Sequence, residues 1–474
     1  MTDMNVPEIA VIGHPNEGKS SVLSTLAEDD SVRISNMPGE TTSCQTFPVA
    51  IDGREMLRFT DTPGFQNPQR VLAELQKLTD EDGDRIIRFR EIFKKSDQLR
   101  DDVELLKPVE RGAGIIYVVD GSRPVRNVDR AEMEILRLTG RPRMAIINCK
   151  DNSFAYIESW KNEFRRSFNT NRVFNAHRAT YAERILLLEA LKSVDQDWQQ
   201  VLDRVINAFK ADWHNRNLQT VDILLEMFSQ CLQHTISAPL KSTTDQKQLQ
   251  EQLFASFHTS ITDKEKKAHI RIERLYKHNI FNYSLPEYAL LNEEIFSKKT
   301  WELFGLSKKQ LAVFGGLGGA ALGAGLDLAA GGMMLGLATG LAGAAGAIGT
   351  LWGGRKLSST KIMGIQIGGE KLQMGPVKDI NLLFVLINRA LLHYKQTINW
   401  AHGRRDYETV DSFKKTVHMQ QNTASWSTRK LKAAKSFFSA VTENEGKDLV
   451  VESEALRKIL QDTLAAISHE ETEV

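Results

Sequence analysis

The run Glu8-Ile9-Ala10-Val11-Ile12 leads directly into Gly13-His14-Pro15-Asn16-Glu17-Gly18-Lys19-Ser20, and no other junction constrains the fold as tightly. The octapeptide fits G-x-x-x-x-G-K-[ST], a spacing that binds phosphate when a strand precedes it and a helix follows. Both conditions are met, since Ser20 to Ala27 carries the helical apolar spacing Val22, Leu23, Leu26. The glycines let the backbone wrap an anion while its N–H groups point inward at a helix N-terminus. Lys19 is expected to reach the β- and γ-phosphates and Ser20 to hold Mg²⁺. Gly13, Asn16, Glu17, Gly18 and Ser21 complete the cradle. The alternative, a chance glycine loop, does not account for the strand–loop–helix context.

Further apolar runs at Met56–Thr60, Ala113–Val119 and Met144–Ile147, with a helical pattern at Ala131–Leu138, predict strands alternating with helices. That alternation implies an α/β fold with a mainly parallel sheet and helices on both faces. Residues 67–110 are highly charged with helical spacing (Val71, Leu72, Leu75, Leu78; Ile86, Ile87, Phe89, Ile92, Phe93) and predict a helical insertion. This first domain is expected over 1–180. Beyond it the strand signal fades. Helical spacing at Ala182–Phe209, Leu218–His234, Leu249–Tyr276 and Tyr288–Phe304 predicts a helical domain over 181–306. A Gly/Ala-rich helical hairpin over 307–356 and a C-terminal part over 357–474 come next. The latter should hold a β-hairpin at Lys361–Val377 and helices at Asp379–His402 and Ser425–Glu470.

Three more segments complete a nucleotide site. Asp61-Thr62-Pro63-Gly64 follows a strand; Asp61 can hold Mg²⁺ and the Gly64 N–H can sense a γ-phosphate, although Thr-Pro-Gly is also ordinary turn chemistry. Pro38-Gly39-Glu40-Thr41-Thr42 is a loop of turn formers in which Thr42, chosen over Thr41, would complete the Mg²⁺ shell as a nucleotide-sensitive switch. Asn148-Cys149-Lys150-Asp151 follows a strand. The Asp151 carboxylate can accept paired hydrogen bonds from guanine N1–H and the 2-amino group, and Asn148 would brace the loop. Asn175-Ala176-His177, after the short strand Arg172–Phe174, would set a backbone N–H against guanine O6, or is simply a turn. The expected groups are then Lys19, Thr42 and Gly64 for catalysis and Ser20, Thr42 and Asp61 for metal. Asn148, Lys150, Asp151 and Asn175 to His177 would read the base.

Residues 8 to about 180 resemble the Era and TrmE-like branch of bacterial GTPases. The loop at 13–20 is similar to its G-x-P-N-x-G-K-S, residues 38–42 to its P-G-x-T-T, and Asp120-Gly121-Ser122 also fits. The resemblance implies GTP and GDP as ligands, Mg²⁺ as cofactor and hydrolysis of GTP. Two departures stand out. The branch expects N-K-x-D, whereas position 149 is cysteine and the lysine falls at 150. Phe65 follows Gly64 where Ras-like enzymes carry a water-orienting Gln, which implies low intrinsic turnover. In the resembling branch the asparagine matching Asn16 holds K⁺ beside the phosphates; otherwise Asn16 only shapes the loop.

Lys and Arg (61) nearly cancel Asp and Glu (60), so no global charge draws the chain to nucleic acid or lipid. Nucleic acid is not indicated, because the basic run Lys264 to Lys277 is interspersed with Asp263, Glu265 and Glu273. Cys44, Cys149 and Cys231 lie far apart and read as reduced thiols. The N-terminus lacks an apolar secretory region, predicting a cytoplasmic chain. From Leu311 to Gly354 the only charge is Asp327, with Gly315, Gly319, Gly323 and then Gly332, Gly336, Gly340 at close-packing spacing. The twelve Leu, Ile, Val and Phe residues there contribute roughly −4 to −7 kcal/mol to insertion, and Asp327 returns about 3. The balance is marginal between a hairpin seated at the inner membrane and one buried in protein. Lys308-Lys309 and Arg355-Lys356 at its ends favour membrane contact with both ends cytoplasmic. The expected function is a GTP-hydrolysing switch coupled to the membrane, with a GTP-dependent dimer or protein effector as partner. The alternatives are an RNA- or ribosome-associated assembly GTPase and a nucleotide-bound scaffold with negligible turnover.

Overall fold

In the computed structural model six strands form one sheet in the order β2-β3-β1-β4-β5-β6. They are β1 (Glu8–Ile12), β2 (Gln45–Ile51), β3 (Arg54–Asp61), β4 (Gly114–Asp120), β5 (Arg143–Asn148) and β6 (Thr170–Phe174). The structure describes residues 6–27, 43–78, 84–149, 155–174, 181–239, 246–276, 295–296, 300, 304–305, 349–350, 360–362, 365–367, 371–398, 422–442 and 449–469. All pairings in the sheet are parallel except β2 with β3. The centre reads as unbroken apolar sequence because both faces are covered: from Ile115 to Val119 no residue is more than 1% exposed. Edge strand β2, which no apolar run announces, returns into β3 through Asp52-Gly53. Both have positive φ (51° and 74°), the backbone of a two-residue hairpin turn matched to strand twist.

Helices α1 (Lys19–Ala27), α2 (Pro68–Lys77), α3 (Arg85–Phe93), α4 (Arg100–Leu105) and α5 (Lys107–Glu110) precede β4. Among the described residues between β3 and β4 the regular elements are therefore helices. Pro68 opens α2 where its missing N–H costs nothing, and the Asp84 carboxylate caps α3 by accepting the Ile86 and Ile87 N–H groups. Helices α6 (Asn127–Leu138) and α7 (Ile157–Phe164) connect the later strands. The pattern expected as one helix over Ala182–Phe209 is two, α8 (Tyr181–Lys192) and α9 (Gln199–Leu232). Asp195 makes the break: its carboxylate accepts the Asp197 N–H at 2.9 Å and starts a short 3-10 turn. Helix α9 then runs 34 residues, through Leu218, where the spacing predicts the start of a new helix.

The chain divides into two compact units, Met1–His214 with Ile398–Glu408 and Ser468–Val474, and Asn215–Thr397 with Thr409–Ile467. The second unit holds β7 (Ile236–Pro239), α10 (Gln246–Leu275), β8 (Gly349–Thr350), β9 (Thr360–Ile362), β10 (Ile365–Ile367) and β11 (Lys371–Met374). Helices α11 (Asn381–Ile398), α12 (Thr428–Thr442) and most of α13 (Leu449–His469) complete it. Only β9 and β10 pair as the expected hairpin; β11 lies between β7 and β8 in a separate antiparallel sheet. Gly349 and Thr350, inside the segment expected to be helical, are the strand β8, since they pair with Met374 and Gln373. Most of 311–354 lies outside the described residues. Among the described residues no helix is long and apolar enough to cross a membrane.

A buried ion pair fastens α10 to α11 in this unit. Arg389 donates from Nε to Glu265 Oε1 at 2.7 Å and from Nη2 to Oε2 at 2.9 Å, with both side chains at most 5% exposed. Asn217 on α9 accepts from the hydroxyls of Tyr276 (2.8 Å) and Tyr394 (2.7 Å), tying three segments together. Removing one partner of such a pair strands a charge in low dielectric. Arg389→Ala is expected to destabilise by about 3–5 kcal/mol in denaturant unfolding of the full chain. A paired apolar replacement of Glu265 and Arg389 should cost much less.

Candidate nucleotide-binding site

The strand order reverses about β1, which has β3 on one side and β4 on the other, and ligands of open α/β sheets bind where such a reversal occurs. The loops after β1, β3, β4 and β5 therefore open at one edge. Gly13 begins the first of them. An added Cβ there would sit 2.3 Å from the Val118 carbonyl oxygen, so only glycine lets the loop leave β1 against β4. Asn16 (φ 64°) and Gly18 (φ 95°) continue the loop through left-handed backbone, which Gly and Asn tolerate best. Asn16 is exposed at the tip. Lys19 is 8% exposed, and its Nζ donates to the His14 carbonyl at 2.9 Å, folding the cation into the loop that its own helix terminates.

Ser20 and Asp61, both expected at the metal, meet: Ser20 Oγ donates to Asp61 Oδ2 at 3.0 Å. A hydroxyl and a carboxylate at this separation form an oxygen donor set of the kind Mg²⁺ prefers. Thr62 donates to the Val11 carbonyl at 2.7 Å and pins the end of β3 to β1. Gly64 lies against the P-loop so closely that a Cβ would stand 2.6 Å from Pro15. Phe65 is fully buried in the core with Ala10 and Ile12, and its N–H donates to Gly13 O at 3.3 Å. A side chain held there cannot reach a nucleophilic water.

At the end of β5, Asn148 Nδ2 donates to the Glu17 carbonyl at 3.0 Å, so that strand carries the P-loop backbone directly. Cys149, where the resembling branch has lysine, is 1% exposed and belongs to the core. Burial, and secondarily the charge of Asp120, pushes its thiol up to about 11. Asp120 Oδ1 accepts from the Ser122 N–H and hydroxyl, forming the turn expected after β4. Ser21 is buried at the start of α1. Thr42, Lys150, Asp151, Asn175, Ala176 and His177 lie outside the described residues.

Several charged groups around this site are absent from the sequence reading. Helix α6 supplies two fully buried acids one turn apart, Asp129 and Glu132. Glu132 accepts from Tyr117 OH at 2.8 Å and lies 2.8 Å from His14 Nδ1. Asp129 accepts from Arg123, which also grips the side chain of Glu17. Their sequence signal is slight, an acid at two positions of the helical face that also carries Met133 and Leu136. Asp102 on α4 is likewise buried, accepting the Gln66 N–H at 3.0 Å and the Asn67 N–H at 3.2 Å. Asn67 Nδ2 donates to the Gln98 carbonyl at 3.0 Å, so the inserted helices hold the segment just after Gly64. Asp102 stands in the stripe Leu99–Asp102–Leu106, a charged residue where the period calls for an apolar one.

A family model described as 50S ribosome-binding GTPase matches residues 8–149, and one described as a domain of unknown function (DUF3482) matches residues 161–466. GTPase Der of Agathobacter rectalis is 28% identical over 142 residues, covering 30% of this chain and 27% of its own. GTPase Der of Aromatoleum aromaticum is 23% identical over 190 residues, covering 40% and 38%. The chain thus spans 27% to 38% of the length of these curated relatives. A crystal structure of Era from Aquifex aeolicus bound to GDP and AlF4⁻ is 13% identical. It covers 57% of this chain and 89% of that one at a TM-score of 0.27, too loose an overlap to argue from. The first domain is a P-loop G domain with a mainly parallel sheet, and a mostly helical region succeeds it.

Asp102 makes the site's stability depend on pH. Burial raises its carboxyl to about 6 against the two N–H bonds that lower it, with Asp101 and Glu132 adding to the rise. The folded chain therefore holds this proton more tightly than the unfolded one. The stabilisation is complete below about pH 4 and is lost as pH rises through about 6. The elevation from 3.8 to about 6 converts to at most about 3 kcal/mol. In denaturant unfolding, Asp102→Asn should gain on the wild type by roughly 1–3 kcal/mol between pH 4 and 7. A pH-independent difference would refute the assignment.

Proposed function

The chain belongs to the DUF3482 family, and on that premise we propose that its G domain makes it a GTP-binding and GTP-hydrolysing switch. The observation that carries this reading is the 3.0 Å contact between Ser20 Oγ and Asp61 Oδ2 at the mouth of the Gly13–Ser20 loop. It joins two oxygen donors that a Mg-nucleotide needs, beside Lys19, which is turned into the loop. Phosphates enter against the loop N–H groups, and Lys19 exchanges the His14 carbonyl for a phosphate oxygen. Ser20 and Asp61 would hold Mg²⁺, which would offset the charge of the phosphates. Thr42 completes that shell and the Gly64 N–H addresses the γ-phosphate. Asp151 selects guanine, with Lys150 and Asn175-Ala176-His177 shaping the pocket. Asn16, exposed at the loop tip, would hold K⁺, whose positive charge would act in the transition state as an arginine finger does.

Low turnover follows from Phe65, whose burial leaves water without the usual polar guide. Phosphate release from GTP is expected to be slow, stimulated by K⁺ over Na⁺, and absent with ATP. Equal release from ATP would sink the guanine assignment. Asp151→Asn should lose guanine preference and gain xanthosine nucleotides, because an amide cannot accept both base hydrogen bonds. Unchanged competition by xanthosine triphosphate would contradict that role.

The switch reading extends to a cytoplasmic protein that meets the inner membrane through 311–354, a partner class motivated by near-absence of charge and by lysines and arginines at both ends. In liposome flotation with GDP and with a non-hydrolysable GTP analogue, the full chain is expected to float on anionic vesicles. A chain lacking 311–354 should stay below. Wild type remaining in the soluble fraction with either nucleotide would overturn the membrane reading and leave the GTPase reading intact.

A further inference from the structure

Glu17 is an acid inside a phosphate-binding loop, where a negative charge works against the ligand. It is 4% exposed, and its main chain is held by Asn148. Its side chain is matched by Arg123, in the loop after β4, whose Nε donates to Glu17 Oε1 at 3.1 Å with a second, shorter contact from Nη2. The same guanidinium donates to both Asp129 oxygens, at 2.8 and 3.0 Å. Arg126 closes the group: its N–H and Nη2 donate to Asp129 at 2.7 and 3.1 Å, and Nη2 lies 3.8 Å from Glu17 Oε1. Arg123 is seated further by Trp160, whose ring centroid is 5.3 Å from its Cζ and whose Nε1 donates to the Arg123 carbonyl at 2.9 Å. Two buried acids, half-buried Arg123 and exposed Arg126 thus form one network of balanced charge behind the phosphate cradle.

We propose that Arg123 is a positioning residue for the nucleotide, acting through Glu17 to keep the P-loop electrostatically open to a polyphosphate. The inference rests on the nucleotide reading of the loop and adds a specific dependence to it. A planar fork suits this post, since it bridges two carboxylates at once and can lie against an indole. With the guanidinium gone, Asp129 keeps its bonds from Arg126, whereas Glu17 loses its close partner and keeps only Arg126 at 3.8 Å, so its charge faces the incoming phosphates poorly matched. The penalty then rises with the charge of the ligand, so a GTP analogue suffers more than GDP.

Affinities measured by fluorescent-nucleotide titration of the full chain test this. Arg123→Gln should weaken a non-hydrolysable GTP analogue at least about tenfold, equivalent to about 1.4 kcal/mol, and GDP by less. Adding Glu17→Gln to that variant removes the offending charge and should restore affinity to within about threefold of wild type. A purely structural role predicts the opposite, because deleting a second anchor adds damage. Arg123→Lys, which keeps the charge without the fork, should lose less than Arg123→Gln and guards against a variant that fails to fold. A double variant no tighter than Arg123→Gln, equal losses for GDP and the analogue, or Arg123→Lys as weak as Arg123→Gln would overturn the proposal. Wild type that binds neither nucleotide would instead defeat the reading of the site itself.

Discussion

Because β1 is hydrogen-bonded to β3 on one side and to β4 on the other, three parallel strands end at one edge of the sheet, and each delivers a different part of the site. β1 delivers the phosphate loop, β3 delivers Asp61, and β4 delivers the turn that carries Arg123. β5, next to β4, delivers Asn148. None of these groups is near another in sequence: the Ser20–Asp61 contact spans 41 residues and the Asn148–Glu17 contact 131. The parallel pairing is what converts those separations into contacts of about 3 Å. It also explains why Gly13 must be glycine, since the strand that aligns the loop crowds it through the Val118 carbonyl.

A loop that presents N–H groups to an anion has no ladder of its own to hold it, so side chains must. Asn148 holds it from the end of β5, Arg123 from behind, and Glu132 through His14. Each of these contacts ends on a group nearly or fully buried, where leaving a partner unmatched costs on the order of 1–3 kcal/mol or more. The loop is thus braced by side chains from three elements, an arrangement that lowers the ordering cost of binding. The segment after Gly64 is treated differently. Its N–H groups rest on Asp102, a carboxylate whose charge is itself strained by burial, so this half of the site is held by a contact that conditions can weaken.

How much of this was legible in the sequence depends on range. The apolar runs of β1, β4 and β5 are local patterns, and the strands form where they imply; the P-loop and Asp61 are local motifs of the same kind. Edge strand β2 escaped because Gln45, Thr46 and Pro48 carry no apolar run; its only local mark is the Asp52-Gly53 turn. The break between α8 and α9 escaped because neither glycine nor proline marks it, and only the Asp195 side chain does the capping. Arg123, Asp129, Glu132 and Asp102 drew no reading from the sequence, because a charge on a helix or loop carries no local mark of its partner. Their partners lie elsewhere in the chain, so their burial is a property of the tertiary approach and not of any window of sequence. Cys149 is an intermediate case: its departure from lysine was visible, whereas its inward place in the core was not.

The central claim is that this edge of the sheet binds a guanine nucleotide through the P-loop and a Mg²⁺ ion. Isothermal titration of the purified full-length chain with GDP, with and without Mg²⁺, and of Lys19→Ala under the same conditions, tests it most directly. The account predicts one saturable site per chain that tightens with Mg²⁺ and is weakened by at least about a hundredfold in Lys19→Ala, roughly the 2.7 kcal/mol expected of a lost charged phosphate contact. The unfolding temperature of the variant should stay near that of the wild type. Undiminished GDP binding by a folded Lys19→Ala chain, or no binding by the wild type, would contradict it.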